Sequence, residues 1–256
     1  MTALPATGMT DSKVMLITGG SGSVGAAIAR EALSQGWAVV VHGRNAGKLG
    51  ELVDMLRPVG PAEAVALDMW QDEAAERLIT EAAAKFGRLD AVVDCVATGP
   101  SGPRITGFFK DTEPAGYTPF YNLSAAWFQR LAHAAYPHLQ ERGGTLIGFI
   151  SDAGRFAAPR QTIIGAARAA EIGFIRNFAV EAARDGIRAH CLSPSYVEGS
   201  ESARKMGSER MAKAAQRAGL GLPSAEDIAP ITVFLCGDGA AKITGQVISI
   251  NGGLNA

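Results

Sequence analysis

The segment Thr18-Gly19-Gly20-Ser21-Gly22-Ser23-Val24-Gly25 carries the clearest chemical signal in the chain. Read from Gly20 it has the spacing G-x-G-x-x-G, between a short apolar run and a stretch of helical periodicity. A phosphate bound at such a place needs a tight turn, close approach of the backbone, and the unpaired N–H groups of a helix N-terminus. Glycine permits the first two and the helix supplies the third. The backbone at Gly19, Ser21, Gly22, Ser23, Val24 and Gly25 is therefore read as a dinucleotide cradle, over the plainer reading of a ligand-free turn. Roughly 20 residues farther on, an Asp or Glu would hold the ribose hydroxyls of NAD. No acid stands there: the second apolar run ends His42-Gly43-Arg44-Asn45. A guanidinium suits a ribose 2′-phosphate, so NADP(H) is expected over NAD(H), with a solvated loop arginine as the alternative for Arg44.

The elements that must hold this turn are legible from periodicity. Val14-Met15-Leu16-Ile17-Thr18 reads as a buried strand and Val24 to Leu33 as a helix, followed by a strand over Trp37 to Val41 and a helix over Lys48 to Leu56. The alternation continues with strands at Ala64 to Leu67, Leu89 to Val96, Thr145 to Ile150, Ile187 to Leu192 and Gln246 to Ile250. Helices are expected at Glu73 to Phe86, Asn122 to Glu141 and Gly165 to Arg184. Strands that are apolar throughout, alternating with amphipathic helices, imply a parallel sheet covered on both faces. The expected fold class is α/β: a doubly wound, Rossmann-type parallel sheet in one domain over residues 14–256, after a polar tail over residues 1–13.

Composition excludes several classes of function. The chain has 256 residues with 24 Lys and Arg against 25 Asp and Glu, a formal charge of −1 without long like-charge runs. That balance argues against a nucleic-acid or membrane-surface binder. No run is long enough for a signal peptide or a membrane span, so a cytoplasmic protein is expected. Cys95, Cys191 and Cys236 stand singly, and His42, His133, His138 and His190 show no ligand spacing, so no metal or disulfide is expected.

Taken together, these segments resemble the short-chain dehydrogenase/reductase family in its single-domain branch, from Val14 to the C-terminus. The glycine turn is similar to the family's TGxxxGxG, with Ser23 where the middle glycine is expected. The tail PSAEDIAPITVFLCGDGAAKITGQVISINGG resembles the family's almost throughout. The resemblance implies that Asp68, with Met69 beside it, contacts adenine. It also places Val96 and Ala97 after the fourth strand, and Pro194 and Val197 after the sixth, along the cofactor. Asn122 matches the helix asparagine of the catalytic tetrad, and Ser151 the serine after the fifth strand.

The same comparison fails where the nicotinamide would lie. Hydride delivered to a carbonyl carbon leaves an alkoxide, which the family protonates from the tyrosine of Tyr-x-x-x-Lys. Here the expected tyrosine is Ile164 and the expected lysine Arg168, and no Tyr-x-x-x-Lys occurs anywhere in the chain. Asp94-Cys95-Val96-Ala97 replaces Asn-Asn-Ala-Gly, His190 and Ser195 replace the Asn and Gly of Asn-x-x-x-Pro-Gly, and Gly199 replaces a threonine. Arg168 could keep the hydrogen bond to the nicotinamide ribose but is a poor proton donor; its plainer role is a helix arginine at a subunit contact. Tyr196 is the best substitute donor, or an aromatic wall of the pocket. Asp152 could act as an acid only if burial kept it protonated, and a solvated loop carboxylate is the default reading.

Three functions follow from this pattern. The first is an atypical NADP(H)-dependent oxidoreductase for a small or polycyclic carbonyl or alcohol, or an activated double bond; the second is a non-redox enzyme on the same fold. The third is a catalytically silent subunit or cofactor-binding regulator. The resemblance also implies a homo-oligomer, dimer or tetramer, through the helices at Asn122–Glu141 and Gly165–Arg184, where Gly165, Ala166, Ala169, Ala170 and Gly173 allow close packing. It further implies a substrate lid over residues 199–222.

Overall fold

Val14, Met15, Leu16 and Ile17 have no exposed surface, and their alternating side chains feed two different cores. Val14 and Leu16 point to one face of the strand, Met15 and Ile17 to the other, as the two-residue period of an extended chain requires. This division organises a three-layer structure. The computed structural model describes residues 10–96 and 102–255. Within them lie strands β1 (Val14–Thr18), β2 (Ala38–Gly43), β3 (Ala62–Ala66), β4 (Ala91–Asp94), β5 (Thr145–Phe149), β6 (Arg188–Ser193) and β7 (Val247–Ser249). They form one parallel sheet in the order β3-β2-β1-β4-β5-β6-β7.

On one face pack α3 (Ala74–Phe86), α5 (Trp127–Gln140) and α6 (Thr162–Ala182), around Leu78, Trp127, Phe128, Leu131 and Ile175. On the other pack α1 (Ser23–Ser34), α2 (Ala46–Leu56) and α9 (Ala225–Cys236), around Ile28, Leu49, Leu56 and Val233. Among the described residues no helix is long and apolar enough to cross a membrane.

The expected elements are present, with differences that have local causes. The helix expected from Asn122 begins earlier, as α4 (Tyr117–Tyr121), and runs into α5 through a wider π-helical turn over Asn122–Ala126. Such turns carry one extra residue and commonly mark functional positions. The charged stretch after Gly199 forms α7 (Glu201–Met206) and α8 (Ser208–Arg217), with Gly207 at φ +86° between them. Gly165 faces its own chain: a Cβ there would lie 2.7 Å from the Ala153 carbonyl oxygen, so its smallness serves internal packing. Gly173 has open space around it.

Two features fix the loops at the carboxyl ends of the strands. Asp152 is buried, not solvated: it accepts hydrogen bonds from Ser193 Oγ (2.5 Å), Asn251 Nδ2 (2.8 Å) and Asn255 Nδ2 (3.0 Å). It therefore ties the loop after β5 to the end of β6 and to the C-terminal segment, which corrects the expectation of a free loop carboxylate. Ser195, following Pro194, holds φ +61°. This is the left-handed region, which costs a residue with a Cβ about 1–2 kcal/mol.

Two stability changes should follow. Ser195→Gly removes that strain at some cost in unfolded-chain entropy, so a net gain of about 0.5–1 kcal/mol is expected, read as a rise in Tm of roughly 1–4 °C. Asp152→Ala strands buried donors and should cost about 2–4 kcal/mol in a denaturant titration; a loss below about 0.5 kcal/mol would contradict the assigned tie.

Candidate active site

The order of the sheet reverses between β1 and β4, and there the chain leaves the two neighbouring strand ends toward opposite faces. In doubly wound sheets the crevice at this point is where ligands sit. Thr18 and Asp94 are register partners at the two carboxyl ends, and the Thr18 hydroxyl donates to Asp94 Oδ1.

The glycine turn follows directly. Gly19 holds φ +63°, and a Cβ there would stand 2.7 Å from the Cys95 carbonyl oxygen. A Cβ on Gly25 would meet Gly19 O at 2.7 Å and Gly20 Cα at 2.8 Å, so only glycine lets the helix start this close to the strand. Gly22 caps α1 without any side chain bonding to its first turn. Ser21, Gly22 and Ser23 are exposed and Val24 is half-buried. The helix N-terminus is thus presented to solvent at the mouth of the crevice. That cradle fits an anionic group such as a dinucleotide pyrophosphate.

Along the crevice, Arg44 is exposed just past β2, before Asn45, whose side chain caps α2 by accepting from Lys48 N at 3.0 Å. His42 is buried, bonded through Nε2 to the Leu67 carbonyl at 3.0 Å and stacked on Trp127 at 6.3 Å between centroids. Burial lowers its pKa, so it is a neutral structural ring. Asp68 is half-buried, with Oδ1 accepting from Trp70 N at 3.2 Å, and Met69 beneath it is buried. Val96 is half-buried, and Ala97 lies outside the described residues.

Across the crevice, Ser151 is half-buried at the end of β5, its Oγ accepting from Ala153 N at 3.3 Å. Asn122 is exposed in the π-helical turn. Ile164 packs in an apolar cluster with Ile105, Tyr117, Phe120, Tyr121, Ile163 and Ala167. The Tyr117 hydroxyl is held by Thr112 Oγ1 at 2.6 Å. Where the resemblance calls for a phenol stands the hydrocarbon side chain of Ile164.

Pro194 and Val197 are buried. Between them, Tyr196 packs against Met211, Ala214, Ala215, Ala218, Leu222 and Leu254, which anchors α8 to the loop after β6. Ser200 caps α7 by accepting from Ala203 N at 3.1 Å. The Glu201 carboxyl is held below its usual range by a hydrogen bond from Lys205, and the charge of Lys48 on α2 acts in the same direction. His190 lies buried within β6, where burial pushes its pKa down to about 4. Among the described residues no His, Cys, Asp and Glu cluster could hold a metal.

Arg168 is buried on the sheet side of α6, donating through Nη1 to the Phe149 carbonyl at 3.2 Å and to both Glu171 oxygens at 2.7 and 3.0 Å. It points into the chain at the end of β5, which overturns its reading as a surface residue for a subunit contact. Glu171 was not singled out from sequence. The available signal was a carboxylate one turn from Arg168, next to Ile172 on an otherwise apolar face. Trp127 was also missed; its Nε1 donates to Asp94 Oδ1 at 3.3 Å.

Comparison with known proteins agrees with this geometry. The family described as Enoyl-(Acyl carrier protein) reductase matches residues 19–255. A probable 2,4-dienoyl-CoA reductase of Bacillus subtilis is 31% identical over 250 residues, covering 95% of this chain and 96% of that protein. A (5R,7aS)-5-hydroxy-7a-methyl-1-oxo-2,3,5,6,7,7a-hexahydro-1H-indene-carboxyl-CoA reductase of Mycobacterium tuberculosis is 28% identical, covering 95% and 94%. Among solved structures, a 7 alpha-hydroxysteroid dehydrogenase complexed with NADH and 7-oxo glycochenodeoxycholic acid is 25% identical. It superposes with TM-score 0.86, covering 98% of each chain. A short-chain type dehydrogenase/reductase from Mycobacterium ulcerans, at 24% identity and TM-score 0.86 over 96% and 90% of the two chains, shares the fold. With a glycine turn at the reversal of a seven-stranded parallel sheet and relatives of this kind along its length, the chain belongs to the short-chain dehydrogenase/reductase family of oxidoreductases.

Proposed function

We propose that this protein is an NADP(H)-dependent reductase of an activated carbon–carbon double bond, an α,β-unsaturated or dienoyl thioester, that works without a tyrosine proton donor. The observation that carries the reading is the pairing of a backbone cradle at Gly19–Gly25 with a hydrocarbon wall at Ile164. The first fits a dinucleotide; the second puts a hydrocarbon at the position where the family carries its proton-donating phenol. The thioester substrates named for the Bacillus and Mycobacterium tuberculosis relatives point to the same class.

When bound, the dinucleotide supplies a hydride. Gly19, Ser21, Gly22, Ser23, Val24 and Gly25 would hold its pyrophosphate, Arg44 its 2′-phosphate, and Asp68 and Met69 its adenine. Val96, Ala97, Pro194 and Val197 would line the nicotinamide half, and Arg168 would bond its ribose. Ser151 would hold the thioester oxygen, assisted by Asn122, the helix asparagine of the family pattern, in the π-helical turn. In a 2-enoyl thioester a C–H bond would form at the β-carbon, and in a 2,4-dienoyl thioester at the δ-carbon, as the conjugated C=C electrons move onto the thioester oxygen. The resulting enolate would take its proton from water, at the α-carbon in the first case and at the γ-carbon in the second. That enolate is delocalised, so the missing acid, worth about 10²–10⁴-fold in a carbonyl reduction, costs less here.

Tyr196 in this reading walls the pocket and couples it to a lid formed by residues 199–222. The catalytic domain spans residues 14–256 behind a tail at 1–13, and the enzyme works as a cytoplasmic homo-oligomer.

Thermal-shift titration with each nucleotide near 1 mM tests the cofactor. A dissociation constant near 10 μM gives about 2.7 kcal/mol of stabilisation, or roughly 5–10 °C in Tm. NADPH should stabilise more than NADH, and Arg44→Ala should abolish that preference while keeping NADH binding. Gly25→Val should remove the shift for every nucleotide. An unshifted curve with all four nucleotides contradicts the reading and leaves a non-redox enzyme or a silent subunit.

A further inference from the structure

Glu171 and Arg168 lie one helical turn apart on the sheet side of α6, and neither is open to bulk water: Glu171 is 2% exposed and Arg168 9%. The neighbouring Ile172, Ile175 and Ala179 are core residues. An ion pair in such surroundings adds little to stability, because desolvation offsets the attraction and apolar replacements of similar volume are often neutral or better. Packing therefore gives no reason for a carboxylate at this position.

The guanidinium ties together groups from separate elements. Arg168 Nη1 bonds both Glu171 oxygens and the Phe149 carbonyl at the end of β5, two residues before Ser151. Its positive charge also acts on Asp94 at the end of β4, whose Oδ1 receives the Thr18 hydroxyl from β1, Trp127 Nε1 from α5 and Val96 N. Two carboxyls are thus linked to one guanidinium, Glu171 by direct hydrogen bonds and Asp94 through its charge. With both ionised the cluster carries one net negative charge; with one proton bound it is neutral.

We propose that Glu171 is a positioning residue, which fixes the Arg168 guanidinium under the crevice and, with Asp94, makes the charge of the crevice floor depend on one bound proton. Burial raises Glu171 to about 7, with Arg168 opposing the rise and Asp94 adding to it. Burial likewise raises Asp94, against the hydrogen bonds from Thr18 and Trp127 and the Arg168 charge. Among the described residues the cluster is also faced by Cys191 of β6 and by Cys95 beside Asp94; burial pushes both thiols far up, so they stay protonated and uncharged. Arg176, farther along α6, acts on Cys191 as well.

The consequence rests on the reading that a nicotinamide occupies the crevice. An oxidised nicotinamide ring is cationic and a reduced one is neutral. The anionic cluster favours the oxidised form, so binding that form releases the cluster's proton. Affinity for NADP⁺ relative to NADPH should rise with pH across the window around 7, by about two- to tenfold between about pH 6 and pH 8, with tenfold per pH unit as the limit for one proton.

Two measurements on the full chain decide it. Infrared difference spectra of the nucleotide-free protein should show a protonated-carboxyl band that titrates near neutral pH and vanishes in Glu171→Gln. Binding titrations of NADP⁺ and NADPH at several pH values should show the rising ratio in the parent protein and a flat ratio in Glu171→Gln. If Glu171→Gln does not fold, Glu171→Met gives the same comparison, since it removes the Glu171 carboxyl and leaves Arg168 and Asp94 in place. No titrating band, or a pH dependence unchanged by the variants, overturns the proposal. A titrating band lost in the variant, in a protein that binds no nucleotide, supports the proton-binding cluster and overturns the cofactor reading instead.

Discussion

Asp94 is the group on which the site geometry converges. It ends β4 at the point where the sheet order reverses, and its Oδ1 accepts from Thr18 on β1, from Trp127 on α5 and from the backbone of Val96. Through Thr18 it fixes the residue from which the glycine turn departs, and through Trp127 it fixes the helix that follows the π-helical turn at Asn122. Its charge and that of Arg168 on α6 act on each other. A half-buried carboxyl of this kind is satisfied when donors surround it, so these elements are held together around it. The crevice inherits its shape from that constraint.

The fold was legible because its determinants are local. Val14–Ile17 is apolar without interruption, as a strand buried on both faces must be, and the segment after Gly22 has helical period. The glycine turn was legible for the same reason, since tight turns and close approaches leave their requirement in the sequence itself. What sequence could not place were contacts between distant residues. Asp152 adjoins Ser151, yet its carboxylate turns to Ser193, Asn251 and Asn255, which no local pattern announces. Glu171 reads as an ordinary helical carboxylate until the fold shows that its face is buried. Ser195 is informative in both views: the residue type departs from the family pattern, and the backbone keeps the left-handed angle that explains the pattern.

The departures from the family pattern also gain physical content. Ile164 belongs to a packed cluster with Ile105, Tyr117, Phe120 and Tyr121, in which the Tyr117 hydroxyl is engaged by Thr112. Arg168 is held by Glu171 and the Phe149 carbonyl, and the residue four positions before it is Ile164, not a tyrosine. Under the proposed function, a wall and a clamped charge of this kind suit a substrate that needs orientation more than it needs an acid from the protein. That is the physical case for an activated double bond over a simple carbonyl.

The central claim is therefore hydride transfer to carbon with the proton drawn from water, and single-turnover isotope labelling reads it directly. The protein would be mixed with NADPH carrying deuterium at the transferable position and a 2,4-dienoyl or 2-enoyl thioester, in ordinary water and then in deuterium oxide with unlabelled NADPH. The account predicts one deuterium on the carbon that accepts hydride in the first case and one at the carbon that accepts the proton in the second. Unlabelled product in the first case, or no product although NADPH binds, would contradict it.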